Sequence, residues 1–364
     1  MKLFECQNCR QRLYFENTRC EHCGMALGYI PEITTLSALS PSGDGAWKAL
    51  AASGRTFRFC ANASHDACNW LVPQGSKDIC SKDIYCHACR HNRTIPNLSD
   101  ARNLLLWQRI EGAKHRLFYG LLRLGLPLVD KRADAAHGLA FDFLGQAPEP
   151  FQESSQVMTG HAEGLITLDI SEADDAARER HRLQMAEPYR TLLGHFRHEI
   201  GHHYWERLVR GGVWHSAFRE LFGDERQDYM TALQNHYSHG PPSDWQDHYI
   251  SSYASAHPWE DFAECWAHYL HILDTLETAH AFQLQVAPRT GRDFETAQSF
   301  DIDPYEEADF DRLFANWPSL TFAINSLSHS MGQPDLYPFV LTPTVMGKLR
   351  FVHGLVQANR GQLC

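Results

Sequence analysis

No stretch of this 364-residue chain comes near the roughly 18 to 20 uninterrupted apolar residues that a membrane-spanning helix needs. The first residues, MKLFECQNC, lack the apolar run of a secretory signal peptide. Basic residues are outnumbered, with 33 Lys and Arg against 44 Asp and Glu, so the formal net charge is −11. We therefore expect a cytoplasmic protein without a membrane segment. A nucleic-acid binder, which usually has a basic surface, is disfavoured.

Cysteine is almost absent after residue 90. Nine of the eleven cysteines lie before that point, and only Cys265 and Cys364 lie beyond it. In a reducing compartment such a concentration of thiols favours metal binding over disulfides. The length and the hydrophobic content of 43% indicate a soluble globular protein of more than one domain.

The first cysteine cluster consists of two CxxC pairs that are ten residues apart. Each pair can form a tight turn that offers two thiolates to one tetrahedral ion, and two pairs complete a closed site. A redox CxxC is the weaker alternative, because thioredoxin-type sites use one pair in a βαβ unit. The sequence predicts a structural zinc ribbon over residues 1–30, with Cys6, Cys9, Cys20 and Cys23 as ligands.

A second cluster of five cysteines lies between residues 60 and 89. We expect it to form a second zinc-binding module over residues 56–98, with Cys80 left over. His65 or His87 is an alternative ligand, because imidazole can replace a thiolate. Either zinc module can also bind a protein partner. The ligands that we assign to the second structural zinc are Cys60, Cys68, Cys86 and Cys89.

The remaining segments define the predicted organisation. Residues 31–54 are rich in Ser, Gly, Ala and Pro, which indicates a connection between the two zinc modules. Ser99 or Asp100 can cap a packed linker helix over residues 99–128. Residues 129–364 follow as the largest domain. We expect an α+β fold that is mostly helical with a small sheet, whose clearest strand is GLITLDI at 164–170.

The most informative motif is His198-Glu199-Ile200-Gly201-His202, an HExxH sequence within a helix predicted over 187–210. Residues four apart lie on one face of a helix, so both imidazoles can bind one zinc ion. Glu199 can then act as general base on the zinc-bound water, which indicates metal-assisted hydrolysis, most often of peptide bonds. A chance match is the alternative, because the chain has 22 histidines.

A catalytic zinc ion normally has a third protein ligand. Glu260 is our candidate, at the start of a long helix over residues 255–279 that has an apolar stripe of Phe262, Trp266, Tyr269 and Leu270. Glu264 lies one turn further on the same face, where it can orient a zinc-bound histidine from the second coordination sphere. His215 is the competing third ligand, and it would give an all-histidine site resembling that of the SprT-type proteases.

The segments HEIGHHYW and YASAHPWEDFAECWAHYL together resemble the bacterial zinc-binding metallopeptidases that have an N-terminal zinc-ribbon region. The likeness covers nearly the whole chain, including CANASHDACNWLVP, FGDERQDY and MGQPDLYPF. It implies a zincin-like domain of gluzincin type, a class whose third zinc ligand is a glutamate. The spacing of Tyr253, Glu260 and Glu264 is also similar to that of anthrax lethal factor. By that similarity Tyr253 is a candidate for stabilising the oxyanion, with a core tyrosine as the alternative.

We therefore expect a zinc metallopeptidase with one catalytic and two structural zinc ions, acting on a peptide or protein substrate. A catalytically inactive zinc scaffold with a regulatory binding role is the alternative from a different class. The sequence does not specify the substrate.

Overall fold

The structure is a computed structural model that describes residues 1–74, 84–145, 159–184, 189–289 and 298–361. Cys80 and Cys364 lie outside the described residues. Contacts between residues divide the chain into two compact units. Unit 1 comprises Met1–Arg123 and Leu128–His181, and unit 2 comprises Leu124–Pro127 and Arg182–Leu363.

The regular elements are numbered along the chain. The first strands are β1 (Phe4–Glu5), β2 (Arg12–Leu13), β3 (Ala26–Ile30), β4 (Thr35–Pro41), β5 (Trp47–Ala49), β6 (Thr56–Phe59) and β7 (Leu71–Pro73). The later strands are β8 (Asn92–Thr94), β9 (Ala140–Leu144), β10 (Gly160–Ala162), β11 (Leu165–Asp169), β12 (Gln285–Val286) and β13 (Gln298–Ser299). The helices are α1 (Ala101–Arg123), α2 (Asp175–Gln184), α3 (Leu192–Tyr204), α4 (His215–Phe222), α5 (Tyr229–His239), α6 (Trp245–His248), α7 (Pro258–Ala281), α8 (Phe310–Ala315), α9 (Trp317–Ser330) and α10 (Pro343–Ala358).

Five consecutive strands of unit 1, β3 to β7, form an antiparallel meander. The segment 31–54 contributes β4 and β5 to this sheet, so the prediction that it only connects two modules was wrong. The serine and glycine content of the segment is typical of a linker, but two of its apolar side chains, Leu36 and Leu39, are buried in the sheet. Gly43 and Gly45 adopt positive φ angles of 85° and 70° in the β4–β5 hairpin, where glycine is favoured. The buried core of the sheet consists of Ile30, Leu39, Ala49, Phe57 and Leu71.

The two cysteine-rich segments share an aromatic core that includes α1. The ring of Tyr29 lies 4.9 Å from Phe15 and 4.8 Å from Trp70, measured between centroids. Tyr119 of α1 lies 5.4 Å from Phe15. Asp100 caps α1 as predicted, since its Oδ1 accepts a hydrogen bond from the N–H of Arg102 at 2.8 Å. The helix predicted as a linker is thus packed within unit 1.

A second sheet of unit 1 has the strand order β10-β11-β9-β8. β9 pairs in parallel with both β8 and β11, while β10 is antiparallel to β11. The strand predicted at 164–170 is confirmed as β11. β8 follows the second cysteine cluster directly, which explains why contacts assign this sheet to unit 1. The domain boundaries inferred from the sequence remain a prediction.

Unit 2 is mainly helical and is built around α7. The predicted apolar stripe of this helix is buried, with Phe262 and Trp266 both 0% exposed. Trp266 stacks on Tyr204 of α3 at 4.9 Å, and Phe262 contacts Phe351 of α10 at 6.4 Å between centroids. The HExxH helix begins at Leu192, later than predicted, and residues 187 and 188 lie outside the described part of the chain.

The described residues combine small sheets, mostly in the cysteine-rich part of the chain, with a largely helical region that follows, so the predicted α+β class is confirmed. None of the helices in the described residues combines the length and the apolar character that a membrane span requires.

Candidate metal centre

Two histidines of α3 converge on one point in unit 2. The helix begins after Thr191, whose Oγ1 accepts a hydrogen bond from the N–H of Gly194 at 2.9 Å and so satisfies a free donor of the first turn. His198 and His202 lie one turn apart, with ring centroids 4.9 Å apart. Their Nε2 atoms are 3.2 Å apart, a separation that one metal ion can bridge.

Gly201 allows α7 to approach the histidine pair. A Cβ atom at this position would lie 2.9 Å from the Cα of Ala263 and 3.1 Å from the Cβ of Trp266. Real Cβ atoms are almost never found so close to a backbone atom, so a larger residue would push the two helices apart. Gly201, the second variable position of the HExxH motif, thus allows α3 and α7 to pack closely.

Glu260 completes the donor set from the first turn of α7. His257 caps this helix, because its Nδ1 accepts a hydrogen bond from the N–H of Trp259 at 3.1 Å. The dipole at a helix N-terminus stabilises a carboxylate by about 0.3–1 kcal/mol. Oε2 of Glu260 lies 3.0 Å from Nε2 of His198 and 3.6 Å from Nε2 of His202.

The residues present fit a divalent metal ion. The three donor atoms lie within 4.8 Å of one another, and Glu260 is 1% exposed. Its Oε2 accepts no hydrogen bond from the described residues although it is buried, which indicates that the atom serves another partner. Burial alone would raise the pKa of Glu260, but the imidazoles of His202 and His198 hold it well below the usual range. Two imidazole nitrogens and one carboxylate oxygen are the ligands of many catalytic zinc sites.

Glu264 orients His198 from its outer side. Oε1 of Glu264 lies 2.7 Å from Nδ1 of His198 and accepts its N–H. This bond leaves the lone pair of Nε2 directed towards the metal position. Oε2 of Glu264 accepts a hydrogen bond from the hydroxyl of Ser251 at 2.6 Å, which fixes the carboxylate in turn.

Glu199 lies beside the donor set and is 6% exposed. Its Oε1 is 3.2 Å from Nε2 of His195, one turn earlier on α3. Its Oε2 accepts no hydrogen bond from the described residues. Burial by itself raises the pKa of Glu199, but the hydrogen bond and the charge of His195 bring it below the ordinary value. A buried carboxylate that is ionised and has one free oxygen can accept a proton.

Tyr253 lies near the donor set in a short 3₁₀ helix, Tyr253–Ala256. Its ring centroid is 5.9 Å from that of His198. Burial, together with the charge of Glu260, raises the pKa of Tyr253 well above its usual range. The phenol therefore keeps its proton near neutral pH and can act as a hydrogen-bond donor.

His215 has a different partner. It lies at the start of α4, and its Nε2 is 2.9 Å from Oε1 of Glu225. That carboxylate also accepts hydrogen bonds from Arg219, and these bonds lower the pKa of Glu225 to about 2. Among the described residues, the third donor beside His198 and His202 is Glu260 and not His215.

The sequence did not point to Tyr229 and Ser251. Tyr229 begins α5, and its hydroxyl donates a hydrogen bond to Oε1 of Glu260 at 2.6 Å. Ser251 supports Glu264 as described above. Tyr229 ends the segment FGDERQDY, which belongs to the family resemblance but contains no metal-binding motif, so only the fold brings the two residues to the site.

The first cysteine cluster has the geometry of a zinc knuckle pair. Sγ of Cys6 lies 3.7 Å from that of Cys23, and Sγ of Cys9 lies 3.6 Å from that of Cys20. The two turns are alike, since Arg10 N–H donates to the carbonyl of Cys6 and Gly24 N–H to that of Cys20, both at 2.8 Å. Four thiols at such distances match the edges of a tetrahedral thiolate site.

The second cluster gathers the four cysteines assigned to it, all of them buried. Sγ of Cys68 lies 3.7 Å from that of Cys86. The two histidines proposed as alternative ligands have other contacts. Nε2 of His87 is 3.7 Å from a carboxylate oxygen of Glu32, and the ring of His65 packs on Trp107 with centroids 5.9 Å apart.

Comparisons with known proteins match two family models to the chain. A family model described as "Putative zinc-binding metallo-peptidase" matches residues 103–355, and one described as a zinc-ribbon domain matches residues 3–100. An uncharacterized protein of Mycobacterium bovis and another of Mycobacterium tuberculosis are each 42% identical to the chain over 357 residues. That alignment covers 98% of this chain and 95% of each relative. No solved structure matches the chain with significance.

Proposed function

Because this chain belongs to the zinc-binding metallo-peptidase family and carries a zinc-ribbon domain, we propose that it hydrolyses peptide bonds as a zinc peptidase of gluzincin type. The observation that carries the proposal is the convergence of Nε2 of His198, Nε2 of His202 and Oε2 of Glu260 on one buried point. These three residues hold the catalytic zinc ion. A bound zinc ion supplies Lewis-acid chemistry, in that it acidifies water and polarises a carbonyl oxygen.

Glu199 is the general base in this proposal. Its free Oε2 takes a proton from the attacking water and passes it to the leaving amine. His195 keeps Glu199 ionised through the 3.2 Å contact between Nε2 and Oε1, so that the carboxylate is ready to accept the proton at neutral pH. Glu199 is thus already ionised before the substrate binds.

Tyr253 is the candidate for stabilising negative charge on the substrate oxygen. Its phenol keeps its proton because burial raises its pKa, and its ring lies beside His198. A hydrogen bond directed at a developing oxyanion is worth about 3–4 kcal/mol in other hydrolases. Glu264 and Tyr229 act on the zinc ligands and do not contact the substrate in this scheme.

The two cysteine clusters each hold a structural zinc ion in our proposal, which gives three ions per chain. The first site uses Cys6, Cys9, Cys20 and Cys23, and the second uses Cys60, Cys68, Cys86 and Cys89. None of these eight cysteines forms a disulfide, and their sulfur atoms lie at distances that suit zinc ligands. This supports a reducing compartment such as the cytoplasm. The chain's acidic balance supports a peptide or protein substrate over a nucleic acid.

Cleavage of a peptide library tests the proposal. The zinc-loaded chain is incubated with peptides derived from a whole proteome, and the new termini are identified by mass spectrometry. We expect cleavage by the wild type and none by Glu199→Gln, which keeps the shape of the side chain but cannot accept the proton. Glu220→Gln, at an exposed position of α4, is the matched control and should cleave normally. Equal cleavage by Glu199→Gln would contradict the mechanism.

A further inference from the structure

A histidine outside both predicted ligand sets faces the second cysteine cluster. His115 of α1 places its Nε2 at 3.2 Å from Sγ of Cys68, 3.8 Å from Sγ of Cys86 and 3.6 Å from Sγ of Cys89. It follows the last of these cysteines by 26 residues and has no metal-binding motif around it. Only the packing of α1 against the cysteine module brings it there.

The other ring nitrogen of His115 has a fixed role. Nδ1 lies 2.6 Å from the backbone carbonyl oxygen of Glu111, which can only accept a hydrogen bond, so Nδ1 carries a proton. In the neutral imidazole the lone pair is then on Nε2, the atom that faces the sulfurs. Metal-binding histidines are typically held this way, with the outer N–H donated to a carbonyl or carboxylate.

The distances fit a zinc site. With Zn–S near 2.3 Å and Zn–N near 2.0–2.1 Å, a tetrahedral site has S–S edges of about 3.8 Å and S–N edges of about 3.5 Å. The three S–N distances from His115 scatter around that value, and the Cys68–Cys86 edge is 3.7 Å. Cys68, Cys86 and Cys89 can therefore belong to two tetrahedral donor sets. One set is completed by Cys60 and the other by His115.

His115 and the polar side chains around it are buried and paired with one another. The side chain is 4% exposed, and its neighbours Glu111 and Lys114 are each 0% exposed and paired at 2.7 Å. Oε2 of Glu111 lies 3.4 Å from Sγ of Cys89. A buried imidazole needs a polar partner, and three sulfur atoms surround the free nitrogen. The donor group at the first cluster, among the described residues, consists of its four cysteines alone.

We propose that His115 is an alternate fourth ligand of the second structural zinc ion and takes the place of Cys60 when that thiolate is lost. The inference rests on the proposed second zinc site and is independent of the peptidase activity. Such a reserve ligand keeps the module folded when Cys60 is unavailable, because the ion still has four donors.

Zinc counting by native mass spectrometry on the full chain tests the inference. Cys60→Ser should keep as many ions as the wild type, because His115 replaces the missing thiolate. Cys68→Ser is the matched control inside the cluster, and it should lose one ion because Cys68 belongs to both donor sets. Cys6→Ser should also lose one ion, because the donor group of that cluster in the described structure contains its four cysteines and not the neighbouring His22. The double variant Cys60→Ser/His115→Ala should lose one ion.

Cadmium NMR of the Cys60→Ser chain gives a second readout. The cadmium ion at the second site should show scalar coupling to the ring protons of His115, which arises only from a direct metal–nitrogen bond. Loss of an ion in Cys60→Ser, retention of all ions in the double variant, or absence of this coupling would each overturn the inference. If the wild type itself carries fewer than three ions and no substitution in the second cluster changes the count, the second cluster does not bind zinc and the proposed structural site fails as well.

Discussion

Tyr229 donates a hydrogen bond from its hydroxyl to Oε1 of Glu260 at 2.6 Å. The bond occupies one carboxylate oxygen and leaves the other, Oε2, facing the two histidines of α3. Tyr229 and Glu260 are 31 residues apart in the chain and belong to different helices. The orientation of the third zinc ligand is therefore set by a residue that the motif does not contain.

Replacing Tyr229 with phenylalanine should weaken the binding of the catalytic zinc ion. Loss of a group that orients a ligand typically lowers metal affinity about 10- to 100-fold. Competition with a chromophoric chelator measures the affinity. Tyr237→Phe is the control, because that residue lies on the same helix but is exposed. Equal zinc affinity in Tyr229→Phe and the wild type would show that the hydrogen bond does not position Glu260.

Gly201→Ala should destabilise unit 2 and reduce zinc binding. The new Cβ would lie 2.9 Å from the Cα of Ala263, so α3 and α7 must separate. Overpacking of this kind typically costs about 1–3 kcal/mol of unfolding free energy. Gly347→Ala, in the interior of α10 with no atom within 4 Å of the added Cβ, should instead be neutral or stabilise by up to about 1 kcal/mol. Urea denaturation measures both, and equal stabilities would contradict the packing argument.

The candidate metal ligands that lie in motifs with helical spacing could be predicted from the sequence. The residues that only the tertiary structure brings to the sites were missed. HExxH and the glutamates of α7 have helical spacing, so their shared faces could be inferred. Tyr229, Ser251 and His115 lie in separate segments without a metal-binding motif, and only the tertiary structure brings them to their partners. The strands β4 and β5 were missed because their serine and glycine content is typical of a linker.

His268 should make the stability of unit 2 dependent on pH. Burial lowers its pKa to about 4, against 6.5 for an exposed histidine, and Nδ1 lies 2.9 Å from the hydroxyl of Tyr337. Because the folded form binds this proton more weakly than the unfolded chain, stability is complete above about pH 6.5 and is lost as the pH falls towards 4. The loss at pH 5 amounts to about 2 kcal/mol.

Chemical denaturation at pH 8 and pH 5 measures this effect. The difference between the two pH values should be smaller in His268→Gln than in the wild type by about 2 kcal/mol. His329→Gln, at an exposed position of α9, serves as the control and should behave like the wild type. An unchanged difference in His268→Gln would mean that His268 titrates normally in the folded protein.

His195→Gln should shift the acidic limb of the activity profile. His195 lowers the pKa of Glu199, so its removal raises that pKa and moves the limb of kcat/KM to higher pH. The zinc content should stay at the wild-type level, because His195 is not a ligand in this account. His239→Gln on α5 is the control. If the acidic limb of kcat/KM lies at the same pH in His195→Gln and in the wild type, His195 does not set the pKa of Glu199.

The zinc content of His202→Ala, compared with wild type and with Glu199→Gln, tests the central claim most directly. Native mass spectrometry counts the ions in each full chain, and circular dichroism checks that the fold is kept. The account predicts one ion fewer in His202→Ala and an unchanged number in Glu199→Gln, whose side chain is not a ligand. An unchanged number of ions in His202→Ala would contradict a zinc site built from His198, His202 and Glu260.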